Sequence, residues 1–98
     1  MRPRVEGMNE VDDAILEFFQ EQQESIVLPP KIVWYNLYEV RSVIDKTSET
    51  IRRRMKKLGK RGLLERVEED RAYYRITQKG RDYLVGDLDA EDLRLEGE

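Results

Sequence analysis

Neither cysteine nor histidine occurs anywhere in the 98 residues. Without cysteine there is no disulfide and no thiolate metal site. Without histidine there is no imidazole ligand and no histidine acid–base chemistry, which removes most of the common catalytic constellations. No apolar run approaches 18 residues and no signal-peptide pattern is present, so a membrane span is not expected and the cytoplasm is the expected compartment. Aromatic residues make up 8% of the chain, and no aromatic-rich strand offers a platform for stacking single-stranded bases, which disfavours RNA binding. No cofactor or effector site is visible. Net basic charge is also missing: acids outnumber bases by 21 to 18, against the rule that DNA-binding domains are basic overall.

The charge that is present is unevenly placed. Residues 1–30 hold two bases and seven acids, residues 82–98 one base and seven acids, and residues 46–61 eight bases and one acid. The chain is therefore a charge dipole with a cationic centre. At this length it makes one domain that buries roughly 60–65% of its unfolded surface. Its 40% charged and 39% hydrophobic residues, with the apolar ones in periodic runs, fit a folded domain better than a disordered one.

The cationic centre reads K-T-S-E-T-I-R-R-R-M-K-K-L-G-K-R. Ile51, Met55 and Leu58 recur at i, i+4 and i+7, which puts them on one stripe of a helix. Thr47 or Ser48 can cap its start, and Gly59 and Gly62 lie where a helix can end with positive φ. The predicted helix, about 48–60, is roughly 20 Å long at 1.5 Å per residue and fits a major groove about 12 Å wide. Glu49, Arg53, Lys56 and Lys60 oppose the apolar stripe, with Arg52 and Lys57 on its flanks. Charged surface helices are common, but they usually mix signs.

Before this helix, residues 1–8 read as a lead-in without periodicity. Asn9 is a candidate N-cap for a first helix, with Glu10, Asp12 and Asp13 in its positively polarised first turn. Val11, Ala14, Ile15 and Phe18 form the inner stripe, and Leu16 and Phe19 widen it. Residues 25–28 form a β-prone run stopped by Pro29-Pro30. Pro30 suits the first turn of a second helix, about 30–38, which offers Ile32, Val33, Trp34, Tyr35 and Leu37 to the core. Residues 39–45 connect to the cationic helix, a link longer than a tight helix-turn-helix bend.

After the cationic helix, runs at 63–67 and 72–76 bracket the polar turn 68–71 and read as a hairpin. Of the adjacent Tyr73 and Tyr74, which point to opposite faces, at least one belongs to the core. Thr77 caps a last short helix in which Tyr83 and Leu84 face inward, with Gly86 as its stop. Residues 87–98 read as an acidic tail, partly ordered and possible as a further helix. The expected domain is thus 9–86, mainly α with a small β-wing (α+β), in the order of a winged helix-turn-helix.

Over about three quarters of the chain the sequence resembles archaeal winged-helix transcriptional regulators, most closely haloarchaeal proteins related to a halophage repressor. The matching pieces are S-E-T-I-R-R-R-M-K-K-L, the following G-L-L-E-R, the wing, and the closing R-I-T-Q-K-G-R-D-Y-L. The resemblance implies sequence-specific binding of double-stranded DNA, with Lys46, Ser48, Glu49, Arg52, Arg53 and Lys56 facing the groove. Arg52 and Arg53 suit guanine O6 and N7, Glu49 the cytosine amine, and Ser48 and Lys56 phosphates. Arg54 is the exception, lying nearer the Ile51 stripe, where its stem covers the core or its guanidinium pairs with an acid. Arg71 at the wing tip is a candidate for minor-groove or phosphate contact, beside the repelling Glu69 and Asp70. About seven residues between Leu37 and Lys46 exceed the family pattern.

The leading expectation is a repressor-like DNA-binding regulator, a homodimer because two-fold sites are the common solution for a small winged helix. The alternative is a winged-helix protein-interaction module, for which the acidic ends speak. Asp12, Asp13, Glu68, Glu69 and Asp70 are the carboxylates a metal-dependent nuclease would draw on. Adjacent acids at a helix start and a turn are more often dipole or solubility features, so no enzyme is expected.

Overall fold

A computed structural model describes residues 7–22, 26–68 and 71–86. Four α-helices and a two-stranded antiparallel wing follow one another in winged helix-turn-helix order: α1 (Glu10–Glu21), α2 (Pro30–Tyr35), α3 (Ser48–Lys60), β1 (Leu64–Arg66), β2 (Tyr74–Ile76) and α4 (Gln78–Leu84). The expectations for residues 1–6, Ser25, the wing turn at Glu69 and Asp70, and the acidic segment 87–98 fall outside the described residues.

Asn9 starts α1 as a capping box. Its side chain accepts from the amides of Val11 and Asp12, and the Asp12 carboxylate accepts from the Asn9 amide at 3.0 Å. The helix then buries Val11, Ile15, Leu16, Phe18 and Phe19, more apolar residues than any other element contributes. At about 1.5–3 kcal/mol for each fully buried large apolar side chain, α1 is the element the others close upon. Ile51, Met55 and Leu58 of α3, Leu63 and Leu64 at the start of the wing, Tyr74 and Ile76 of β2, and Tyr83 of α4 complete the core with Val33 and Leu37.

The second helix departs from expectation. It runs as α-helix only through Tyr35, and Asn36–Val40 continue it as a π turn. Val33 and Leu37 are buried, whereas Ile32 and Tyr35 are 46% and 54% exposed. A helix apolar on every side does not announce which side its neighbours will cover, and here α1 and α3 cover only the Val33–Leu37 side. The π turn also takes up part of the long connection to α3. Leu37 closes the remainder by accepting from the amides of Val43 and Ile44, around Ser42 at φ 53°.

The β-prone run before Pro29 contributes one isolated bridge, Leu28 to Tyr74, on the outer side of β2. The wing pairs Leu64 with Ile76, Glu65 with Arg75 and Arg66 with Tyr74. Tyr74 is the core member of the tyrosine pair, and Tyr73 is half-buried.

Thr77 fastens the wing to α4. Its Oγ1 donates to the Gly62 carbonyl at 2.6 Å and accepts from the Gly80 amide at 3.0 Å, while its own amide donates to Leu63. Gly62 takes the positive φ expected at the end of α3, 79°, whereas Gly59 lies within the helix. Gly80 has another reason to be glycine. A Cβ there would stand 2.4 Å from the Leu63 carbonyl oxygen and 2.7 Å from Ile76 Cγ1.

Gly80→Ala is therefore expected to lower unfolding stability by about 1–3 kcal/mol. Gly59→Ala, whose Cβ would meet Tyr74 Cε1 at an ordinary 3.5 Å, is expected to raise it by about 0.5–1 kcal/mol. Urea unfolding of the two variants beside the wild type checks both signs.

Candidate nucleic-acid interface

The orientation of α3 follows from three restraints. Its Ile51, Met55 and Leu58 stripe is buried in the core. Its start is capped by Thr47, whose Oγ1 accepts from the Thr50 amide at 3.2 Å. The residue before that cap is held by Trp34, whose indole Nε1 donates to the Lys46 carbonyl at 2.8 Å while its ring stacks on Tyr38 at 5.2 Å. Trp34 thus acts as scaffold and sets where α3 begins, in spite of the long connection before it.

A fourth tie comes from the side of the helix. Arg54 reaches from α3 to Asp12 in the first turn of α1, with Nε to Oδ1 at 2.8 Å and Nη2 to Oδ2 as the second bond, and Nη2 also donates to the Gly7 carbonyl. Asp12 is not the surface dipole residue its position suggests, since it has no exposure. A carboxylate taken out of water is tolerated only when paired and hydrogen-bonded. It accepts from Arg54 and from the Asn9 amide together, and the hydrogen bonding to Asp12, with the charge of its carboxylate, raises the Arg54 pKa above its ordinary value.

Arg61, the last residue of the cationic stretch, is also buried, 4% exposed. Its guanidinium lies beneath Gly7, where a Cβ would approach Nη2 to 2.9 Å. Two of the eight bases are thereby turned inward. The other six, Lys46, Arg52, Arg53, Lys56, Lys57 and Lys60, are exposed.

Of the residues expected at a groove, Lys46, Glu49, Arg52, Arg53 and Lys56 are exposed and Ser48 is half-buried at the first turn of α3. Glu49 does not stand free. Arg52 Nε donates to its Oε2 at 3.1 Å, and Nη2 donates to Oε1. Chiefly through these hydrogen bonds, Arg52 holds the Glu49 carboxyl below its usual range, and Glu49 raises the Arg52 pKa in return. At neutral pH the pair is ionised, with the carboxylate turned along the helix.

Ser48, Glu49 and Arg52 line a hollow of about 250 Å³ together with Pro29, Pro30, Lys31 and Ala72, where the starts of α2 and α3 meet the wing. The wing stands beside α3, and Arg71 is exposed near its tip. Arg66 shapes that tip by donating from Nε to the carbonyls of Glu68 at 3.1 Å and Arg71 at 3.3 Å. Its role was not legible from spacing, because an arginine on a strand ordinarily faces solvent. Lys57 and Lys60 stand with Arg53 and Lys56 among the exposed bases. The charge run contained them, but the resemblance did not single them out.

Removing Arg54 alone leaves the Asp12 carboxylate buried without its cation. Arg54→Met is expected to cost about 3–5 kcal/mol of unfolding free energy. The double variant Asp12→Asn/Arg54→Met is expected to cost less than the single one, in the same urea titration.

This geometry has relatives. A family model described as the winged helix-turn-helix phage repressor matches residues 1–96. A crystal structure of the PhiH1 repressor-like protein from Haloarcula marismortui superposes with a TM-score of 0.75 at 33% identity, over 97% of each chain. No curated protein matches the chain. Among the described residues no helix is long and apolar enough to cross a membrane. The family is one of repressors and not of enzymes. On a match that spans nearly the whole sequence, the chain belongs to the winged helix-turn-helix phage repressor family.

Proposed function

We propose that this protein is a sequence-specific regulator of transcription that works in the cytoplasm as a homodimer on double-stranded DNA. On this reading residues 9–86 form the DNA-binding domain, and the outward face of α3 enters the major groove. The observation that carries the reading is the sorting of charge on α3. Arg54 on the helix and Arg61 at its C-cap are turned into the fold, and the six exposed bases stand on and just before one helix of 13 residues. An acidic chain that sets six exposed bases on and just before one helix has a reason to do so if that element meets a polyanion.

Each residue then has a definite part. Arg53 and Lys56 are exposed on the face away from the core stripe, Arg53 suited to base edges and Lys56 to phosphate. Lys46 and Ser48, at the start of α3, suit phosphates beside the helix N-terminus. Arg52 presents its remaining N–H groups to guanine O6 and N7 in the orientation that Glu49 gives it. Glu49 in this arrangement positions Arg52 and leaves the cytosine amine unread. Arg71, exposed at the wing, reaches the flanking backbone or minor groove.

Fluorescence anisotropy of a labelled mixed-sequence duplex, titrated across salt, tests the proposal. Affinity is expected to fall log-linearly with salt, by about 0.9 in log K per log unit of salt for each phosphate neutralised. Arg53→Ala/Lys56→Ala, with unfolding stability unchanged, is expected to bind at least tenfold more weakly and with a slope shallower by about 1 for the lost Lys56 contact. Affinity indifferent to salt, or equal in the variant, would contradict the reading.

A further inference from the structure

The side of α2 and the π turn that faces away from the core carries Ile32, Tyr35, Tyr38 and Val40, exposed at 46%, 54%, 41% and 62%. Exposed apolar residues scattered singly are ordinary, but four on one continuous element of eleven residues form a patch. The patch has a centre. Lys31 and Glu39 lie four residues before and four after Tyr35, both are exposed, and neither makes an ion pair among the described residues. The π turn, which closes i→i+5 bonds, takes more residues per turn than an α-helix. Four residues beyond Tyr35 the chain therefore returns to the same ridge, and Lys31, Tyr35 and Glu39 stand in a row. Ile32 lies on one flank of that row and Tyr38 on the other.

We propose that this face docks against the same face of a second copy of the chain, antiparallel, about a two-fold axis passing between the two Tyr35 rings. A two-fold interface is isologous, so a contact made once is made twice, and the surface must complement itself. A ridge that reads cation, aromatic, anion at equal spacing meets that requirement. Antiparallel pairing sets Lys31 of each copy against Glu39 of the other and brings the two Tyr35 rings together at the axis. Parallel pairing would stack Lys31 on Lys31 and Glu39 on Glu39, so the order of charge selects the direction. A contact of one short helix is small beside the standard interface, which makes the dimer concentration-dependent rather than obligate. The inference deepens the two-copy part of the proposed function and does not rest on how α3 meets DNA.

Sedimentation velocity without DNA, over low to high micromolar protein, tests it on the wild type, Lys31→Glu, Glu39→Lys and the double reversal. The wild type is expected to move from monomer to dimer with concentration. Each single reversal turns two attractions into two repulsions and is expected to weaken dimerisation by about tenfold. The double reversal restores opposite charges and is expected to return to within about threefold of the wild type, with the thermal unfolding of all four proteins alike. A wild type that stays monomeric, single variants that dimerise as well as the wild type, or a double variant no better than the singles would each overturn the proposal. Because no DNA is present, such a result leaves the reading of α3 where it stood, and loss of DNA binding would leave the docking face where it stood.

Discussion

Asp12 has no contact with water, and a carboxylate in that position needs a cation, which Arg54 supplies from the middle of α3. The pair joins two elements far apart in sequence at a point where each is already fixed: Asp12 closes the cap of α1, and Arg54 flanks the stripe that fills the core. A buried pair of this kind adds less stability than two apolar residues of the same volume would, but it is costly to half-remove. Its consequence is orientation. With Ile51, Met55 and Leu58 in the core and Arg54 tied to α1, the remaining rotation of α3 is used up, and the face left outward carries Arg53, Lys56 and Lys60.

The same tie separates charge inside an acidic molecule. Acids gather at the first turn of α1, where the exposed amides welcome them, and Asp13 there accepts from the Tyr83 hydroxyl at 2.5 Å to bind α4. Arg41 closes the far end of α1 by pairing with Glu21 and standing 4.9 Å over the Phe18 ring. Glu65 and Arg75 pair across the wing. In these places acids and bases sit side by side. On the outward side of α3 the one acid, Glu49, is occupied by Arg52 with Arg53 also near it, and Lys56, Lys57 and Lys60 follow with no further acid on the helix. Overall charge therefore misleads about what this chain meets, and local charge informs.

What could be read from the sequence was what depends on neighbours within a turn or two. The caps at Asn9, Thr47 and Thr77, the Ile51 stripe, the wing and the positive φ of Gly62 and Gly86 all follow from short-range rules. What escaped depends on distant partners. Asp12 finds its cation 42 residues on, Trp34 its acceptor 12 residues on, and Gly80 its crowding from Leu63 and Ile76. Ile32 and Tyr35 were expected inside because an all-apolar helix carries no mark of which side is covered. In the candidate site, exposure of the α3 bases was legible from the wheel. The turning of Glu49 onto Arg52 was available from their i, i+3 spacing, yet a reading of each side chain against a base passed over it.

Amide and arginine side-chain NMR shifts, followed as a mixed-sequence duplex is added at low salt, test most directly whether the outward face of α3 is the one that meets DNA. Perturbations are expected to concentrate at Ser48, Arg52, Arg53, Lys56 and Lys60 and at Arg71 of the wing, while the Arg54 guanidinium, held by Asp12, keeps its shift. Perturbations gathered on α1 and α4 with those positions unmoved would contradict it.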